Sequence, residues 1–417
     1  MRSKRGIFLL FLAGATIYGV ATMVRSGVPG MVFDLIRREL GLTAAQTSGI
    51  ASWRTLGSMS FVGFSGFLID RCGWRRLVLA GAAMQLAGYL LIGGGAGAAE
   101  LYGGAFVNGA GMTIVYLSLL KLLDAEFEPR LFAVLLGLFY IFSYGGTCLG
   151  TAPFARMLDY WPWQRLLSAA AVVTALLMAA IALLMLTEKR GAATKTAPRT
   201  IRRIPWSDLA RNLRKPPCLA VFLVTASSLG IYWSMLAGTA GKYLADIGGG
   251  TGALAVMNLI VMAEMIFGGS ISFLFGNRRK CFQAAGAILN ALAILLLFAG
   301  TFLSGAAASG CAWTAMIALG AGYGCTCINI TAVREFVPPE LAASVIGLEN
   351  FVGDTLIITL SQLSGAVFDR WRVADGLNVE PAGYRVLLIV YGVLALAAVP
   401  TALRLRDTRG RNISAEL

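Results

Sequence analysis

Twelve stretches of about 20 mainly apolar residues, separated by short segments that hold most of the charge, leave this chain one kind of environment in which to fold. In lipid only a helix or a closed barrel satisfies its backbone hydrogen bonds internally, and runs of this length specify helices. Their approximate limits are Gly6–Leu35, Thr47–Ile69, Arg76–Gly95, Glu100–Lys121, Leu131–Pro153, Trp163–Leu186, Cys218–Ala240, Thr251–Phe275, Cys281–Leu303, Ala306–Ala332, Leu341–Phe368 and Tyr384–Leu405. Composition agrees: 57% of the 417 residues are hydrophobic and 13% charged, against roughly 45–50% and about 25% in soluble domains. Met1-Arg2-Ser3-Lys4-Arg5 and the apolar run behind it have the outline of a signal peptide. The run is too long and no small-residue cleavage site follows, so it reads as the first span.

The net charge of +14 falls between the apolar runs and forms no aromatic-interleaved basic domain, so nucleic acid is not expected as a partner. It reads as topology. The stretch between spans six and seven carries Lys189, Arg190, Lys195, Arg199, Arg202, Arg203, Arg211, Arg214 and Lys215 against Glu188 and Asp208. The positive-inside rule makes that loop cytoplasmic, and with six spans on either side both termini are cytoplasmic too. A multi-pass protein of the cell inner (cytoplasmic) membrane is expected, its bilayer the first partner. Pro205-Trp206-Ser207-Asp208-Leu209 predicts a short surface helix capped by Ser207 or Asp208. With no histidine and seven cysteines lying mostly inside apolar runs, no metal, cofactor or enzymatic constellation is expected.

Six spans, a basic linker and six more spans define an all-α membrane protein of two six-helix bundles with pseudo-two-fold symmetry. The expected units are residues 1–186, a cytoplasmic linker 187–217, and residues 218–417. Fragments repeat in order. Ile17-Tyr18 returns as Ile231-Tyr232, and Gly66 through Arg76 is echoed by Gly269 through Lys280. Met157-Leu158-Asp159 is matched by Val367-Phe368-Asp369.

Gly66-Phe67-Leu68-Ile69-Asp70-Arg71-Cys72-Gly73-Trp74-Arg75-Arg76 resembles the G-x-L-x-D-R-x-G-R-R/K signature of the major facilitator superfamily, in the loop between its second and third spans. The resemblance implies a transporter, not an enzyme, with this loop as the cytoplasmic gate. Gly66 and Gly73 permit close approach and a tight turn. Asp70 would meet the positive end of span eleven, while Arg71, Arg75 and Arg76 would pair with Asp124, Glu126 or Glu128. The second copy has Asn277 and no aspartate, which predicts a weaker gate there.

Ionisable groups inside spans cost about 2.5–3.5 kcal/mol on insertion scales and are functional candidates by default. Arg25 and Arg54 fall on spans one and two at similar depth, with no acid at that depth in the first six spans. A guanidinium in a water-filled cavity grips an anion through two parallel hydrogen bonds, and Tyr18 lies two turns from Arg25 on the same face. The acids sit in the second half. Glu264, Asp354 and Glu349 are the candidates for proton coupling, and Tyr232, Trp233 and Asn329 for lining the substrate site, with Tyr323 and Asn258 beside them.

The opening, with Tyr18, Arg25, Pro29 and Glu39-Leu40-Gly41-Leu42-Thr43-Ala44-Ala45-Gln46, looks like that of organic-anion transporters: oxalate:formate-type exchangers, anion:cation symporters and organophosphate antiporters. The repeat places Thr239 opposite Arg25, where organophosphate antiporters carry a second arginine, which favours a carboxylate or sulfonate over a phosphate ester. The expectation is proton-coupled uptake of a small anionic solute by a monomer, with protons or another co-transported ion. The alternative is a proton-linked drug or metabolite efflux antiporter. Against it, an exporter's span-four arginine is replaced near Ala105, and Gly146-Thr147-Cys148-Leu149-Gly150-Thr151 only approaches the exporters' span-five motif, with its proline displaced to Pro153.

Overall fold

Helix starts and stops follow local chemistry. Thr43 and Gln46 form a capping box at the start of α3, each side chain bonded to the other's backbone N–H at 3.1 and 2.9 Å. The Glu100 carboxylate accepts from the N–H groups of Ala96 and Gly97 and opens α5. Pro129, Pro216 and Pro381 each begin a helix, where a missing N–H costs nothing.

The protein is seen here as a computed structural model that describes residues 4–187, 214–247, 249–325, 332, 335–338, 341–373 and 377–413. Its helices are α1 (Lys4–Gly27), α2 (Phe33–Leu40), α3 (Ala44–Cys72), α4 (Trp74–Gly94), α5 (Ala98–Glu126), α6 (Pro129–Leu149), α7 (Ala152–Met157) and α8 (Trp163–Thr187) in the first half. The second half has α9 (Pro216–Ser234), α10 (Ala240–Ile247), α11 (Gly252–Leu274), α12 (Arg279–Gly300), α13 (Gly305–Gly324), α14 (Ala342–Arg370) and α15 (Pro381–Arg404). Twelve helices of 19 to 29 residues thus occupy the twelve expected spans. Eight are long and apolar enough to cross a membrane by length and composition, and two shorter apolar runs, Val134–Leu149 and Gly252–Gly268, add to them.

Two spans are less regular than their sequence predicts. The first ends at Gly27, and the chain passes a cis Val28–Pro29 bond before restarting as α2. The seventh changes to a π-helical turn at Met235–Thr239, where Gly238 has φ of 154° and no other residue would sit without strain. The predicted surface helix at Pro205–Leu209 lies outside the described residues.

Two six-helix bundles result. In the first, α4 packs on α5 and α8, α3 on α5, and α1 on α6; in the second, α12 packs on α13 and α15, α11 on α13, and α9 on α14. Small residues set the crossings. A side chain at Gly57 would strike the backbone of Phe106, and one at Gly109 the backbone of Arg54. Large apolar side chains such as Leu176, Leu183, Phe273 and Val393 stay exposed around the outside, as a lipid-facing surface requires. The halves meet mainly through α3 against α14 and α6 against α11.

Candidate functional site

Arg25 stands on the last turn of α1 and Arg54 on the third turn of α3, so the bend between these helices brings two guanidinium groups to one level. Both line a narrow cavity between the two bundles with Ala51, Thr55, Trp233, Leu236, Ala237 and Ile357. The space is thin, and no part of it takes more than about one water molecule. A solute fits only once the halves move apart.

The two arginines differ in occupation. Arg54 is 2% exposed and its Nη1 donates to the backbone oxygens of Val28 at 2.6 Å and Arg25 at 3.2 Å, tying α3 to the carbonyls freed where α1 stops. Its Nε and Nη2 are buried with no hydrogen-bond partner among the described residues. Half of Arg54 therefore holds the fold, a role that spacing alone did not predict. The side chain of Arg25 makes no hydrogen bond or ion pair with the described residues; its Cζ instead lies over the Trp233 ring, 3.8 Å from the centroid. A guanidinium over a ring keeps its in-plane N–H donors available.

No carboxylate neutralises this pair within ion-pair distance among the described residues. The acids that might have done so are used elsewhere. Asp34 pairs with Arg37 at 3.3 Å and with Lys242 at 3.0 Å, while Glu39 accepts from the Trp163 indole and the Gln164 amide. Asp354, one turn before the cavity-lining Ile357 on α14, lies within electrostatic reach of Arg25.

Trp233 belongs to a larger aromatic assembly. Its indole N–H donates to the Tyr323 hydroxyl at 3.1 Å, and the Tyr323 ring stacks on Tyr232 at 3.9 Å and 4°. Tyr232 is fully buried and spends its hydroxyl on Asn258 Oδ1 at 2.6 Å, so it supports the wall and does not face the cavity. Tyr18 packs against Phe139 and Tyr116 at 5.0 and 5.8 Å. Asn329 lies outside the described residues.

The three carboxyl candidates lie on two helices, α11 and α14. Glu349 on α14 is 2% exposed, and neither of its oxygens has a hydrogen-bond partner among the described residues. Glu264 on α11 packs directly on Gly324 of α13, where any side chain would collide with it.

Of the expected gate, Gly66 and Asp70 lie on α3 but their side chains lie outside the described residues. Gly73, with φ of 80°, turns α3 into α4. Arg71 and Arg76 are exposed and form no ion pair among the described residues, and Arg75 lies over the Trp74 ring at 5.2 Å. The corresponding region of the second half has its own charged and hydroxyl contacts. Arg279 bonds Glu335 at 3.3 Å and Ser272 at 2.7 Å, Thr408 donates to the same Glu335 carboxylate, and the Ile413 N–H donates to the Glu335 carbonyl.

The opposite end, where α3 begins and α14 ends, carries a cluster of polar contacts between the halves. Asp369 accepts the N–H groups of Ala44 and Ala45, both at 2.8 Å; Lys242 joins Asp34 to Asp246; and Gln362 donates to Ser52 at 3.0 Å. The sequence showed Asp369 only as part of the repeat. The capping box at Thr43 is the signal that marked where its helix partner begins.

The Major Facilitator Superfamily pattern matches residues 10–362. No curated protein matches the chain at a significant level. Among solved structures, that of the nucleoside transporter NupG is similar at TM-score 0.72 and 11% identity, covering 95% of this chain and 98% of the other. A single-residue variant of NupG gives 0.74, again at 11% identity, with 95% and 99% covered. A bacterial homologue of the human lysosomal transporter Spinster, inward-facing and unoccupied, gives 0.68 at 16% identity, with 96% and 97% covered.

Proposed function

The chain belongs to the major facilitator superfamily, and from that premise we propose that this transporter carries a small organic anion, a carboxylate or sulfonate, into the cell together with protons. Secondary transport by alternating access follows from the family; the substrate reading rests on Arg25. A guanidinium between two bundles, with no carboxylate in ion-pair distance among the described residues and its in-plane donors unused, is a cation in want of an anion. Arg54 adds a second positive charge at the same level while fixing the α1 end.

Charge carried by Glu349 or Asp354 would be costly in this interior until the cavity opens to water. Asp354 stands one turn from Ile357, which lines the same cavity as Arg25, so an anion held there changes the surroundings of this carboxyl. Glu349 answers to the opening of its own helix face. In this reading the Gly66–Arg76 loop faces the cytoplasm and the Asp369 contacts face outward across the cell's inner membrane, an orientation that the positive-inside rule favours for a chain with this basic central loop and basic termini.

Uptake into proteoliposomes tests the reading. The panel holds short carboxylates, sulfonates, phosphate esters, an uncharged nucleoside and lipophilic cations, each with and without an acid-outside gradient. The expected result is accumulation of one carboxylate or sulfonate, faster with acid outside. Exchange of lipophilic cations for protons would instead establish the efflux antiporter, and carriage of the nucleoside alone would remove the anion.

A further inference from the structure

Two positive charges share one narrow cavity, and an organic substrate balances them only while the halves stand apart. Arg25 and Arg54 both line that space, and Arg54 Nη1 reaches the Arg25 carbonyl at 3.2 Å, so the two residues are direct neighbours. Among the described residues no carboxylate stands within ion-pair distance of either. Asp354, a turn from the cavity-lining Ile357, supplies at most one negative charge against two positive ones. At least one charge is left over in a closed interior, where an unpaired charge is costly.

The unpaired atoms form a binding edge. Arg54 Nη1 is spent on the carbonyls of Val28 and Arg25. What remains are Nε and Nη2, buried and without a hydrogen-bond partner among the described residues, on a side chain 2% exposed. In a guanidinium these two nitrogens direct N–H groups the same way along one edge, the fork that grips an anion through two parallel bonds. Arg25 adds its charge from the same lining, its side chain free of hydrogen bonds and ion pairs with the described residues.

Size then selects the ligand. The space takes little more than one water molecule, so a carboxylate or sulfonate with its carbon body enters only when the halves part. Water fits and satisfies the N–H donors, but it is neutral and leaves the charge standing. We propose that a halide ion, chloride being the abundant one, sits on the Nε–Nη2 edge of Arg54 beside Arg25 whenever the halves close without the organic substrate. A monatomic anion brings a full negative charge in a volume near that of water. The organic anion displaces it when the cavity opens, and the halide lets the emptied carrier close again. The site stands on the geometry of the two arginines; its place in the transport cycle rests on the proposed function.

The test titrates purified full-length protein with the sodium salts of chloride, bromide, iodide and thiocyanate in a halide-free buffer at constant ionic strength. Melting temperature is read beside that of Arg25→Gln, and the difference between the two proteins cancels the general effect of each salt. Chloride at about tenfold its dissociation constant should raise the parent by about 1–3 °C and leave Arg25→Gln unmoved. An open arginine site favours the weakly hydrated iodide and thiocyanate, whereas a space of this size reverses the order, with chloride bound several-fold tighter than thiocyanate. Calorimetric titration of the parent alone reads that order if Arg25→Gln does not fold. Equal stabilisation of both proteins by chloride, or tighter binding of iodide and thiocyanate than of chloride, would overturn the halide site. No response to chloride, with a response to a carboxylate or sulfonate that Arg25→Gln lacks, would overturn the halide site and leave the organic-anion reading standing. A response to chloride and to none of the carboxylates and sulfonates of the uptake panel would support the halide site and overturn the proposed substrate. No response to any anion would overturn both.

Discussion

The carboxylate of Asp369, at the end of α14, caps α3 by accepting the N–H groups of both Ala44 and Ala45 at 2.8 Å. One side chain thereby closes the seam between the halves at one face. The arrangement depends on close approach, because a side chain at Gly365 would run into Ala44, Ala45 and Ser48. Hydrogen bonds to a charged group contribute about 1.5–3 kcal/mol each, and the positive end of α3 adds to them. Asp369→Asn should shift the population toward the state open at that face by roughly tenfold or more. The readout is labelling of a cysteine placed at Ser52 by a membrane-impermeant maleimide, which should speed up in the variant; an unchanged rate would show that this contact does not hold the face closed.

Gly365→Leu approaches the same seam from the opposite direction. It leaves Asp369 intact and forces α14 away from α3, so the same labelling should rise while the melting temperature falls. A variant as closed and as stable as the parent would contradict the packing.

Lys242 is a second tie at this face. Its side chain is 1% exposed and bridges Asp34 at 3.0 Å and Asp246 at 2.5 Å, while Asp246 also accepts from the Tyr384 hydroxyl and the Val379 N–H. Removing the cation leaves Asp246 buried without its partner, a loss of about 3–5 kcal/mol. Lys242→Met should lower the melting temperature by more than Asp34→Asn does, because Asp34 is 29% exposed and water replaces its partner. Equal losses would argue against the buried member dominating.

The twelve helices were legible because a 20-residue apolar run in lipid has one solution, and their ends were legible from prolines and capping residues such as Thr43. Arg25 was legible as a charge without a neutralising partner. What escaped was orientation. The sequence counts Tyr116 and Tyr144 as two aromatics among many, and only the rotation of α5 and α6 shows that Tyr116 packs on Tyr18 and Phe139 while Tyr144 joins the core around Tyr232 and Tyr323. Arg54 read as a twin of Arg25, because nothing in the spacing reveals that the chain bends past Pro29 and leaves the Val28 carbonyl for its guanidinium. Asp369 read as a repeat mark because its partners are backbone groups, which carry no sequence signal.

That difference between the arginines yields its own prediction. Arg54→Gln gives up two charge-assisted bonds and should cost about 2–5 kcal/mol of stability, whereas Arg25→Gln, which breaks no hydrogen bond among the described residues, should melt within a few degrees of the parent. The opposite ranking in thermal unfolding would reverse the roles assigned here.

Proton coupling is checked by separating exchange from net uptake. Glu349→Gln and Asp354→Asn should each retain anion counterflow at equal internal and external pH and lose the acceleration produced by an acid-outside gradient. If both variants still respond to the gradient as the parent does, the coupling group lies elsewhere.

The claim on which the rest depends is that Arg25 binds the transported anion. Thermal unfolding of purified protein measures it most directly, with carboxylates, sulfonates and lipophilic cations added in turn to the parent and to Arg25→Gln. The account predicts that one anion class raises the parent's melting temperature by several degrees and leaves Arg25→Gln unmoved, although the two proteins melt alike without ligand. Equal stabilisation of both proteins by the anion, or stabilisation by lipophilic cations alone, would contradict it.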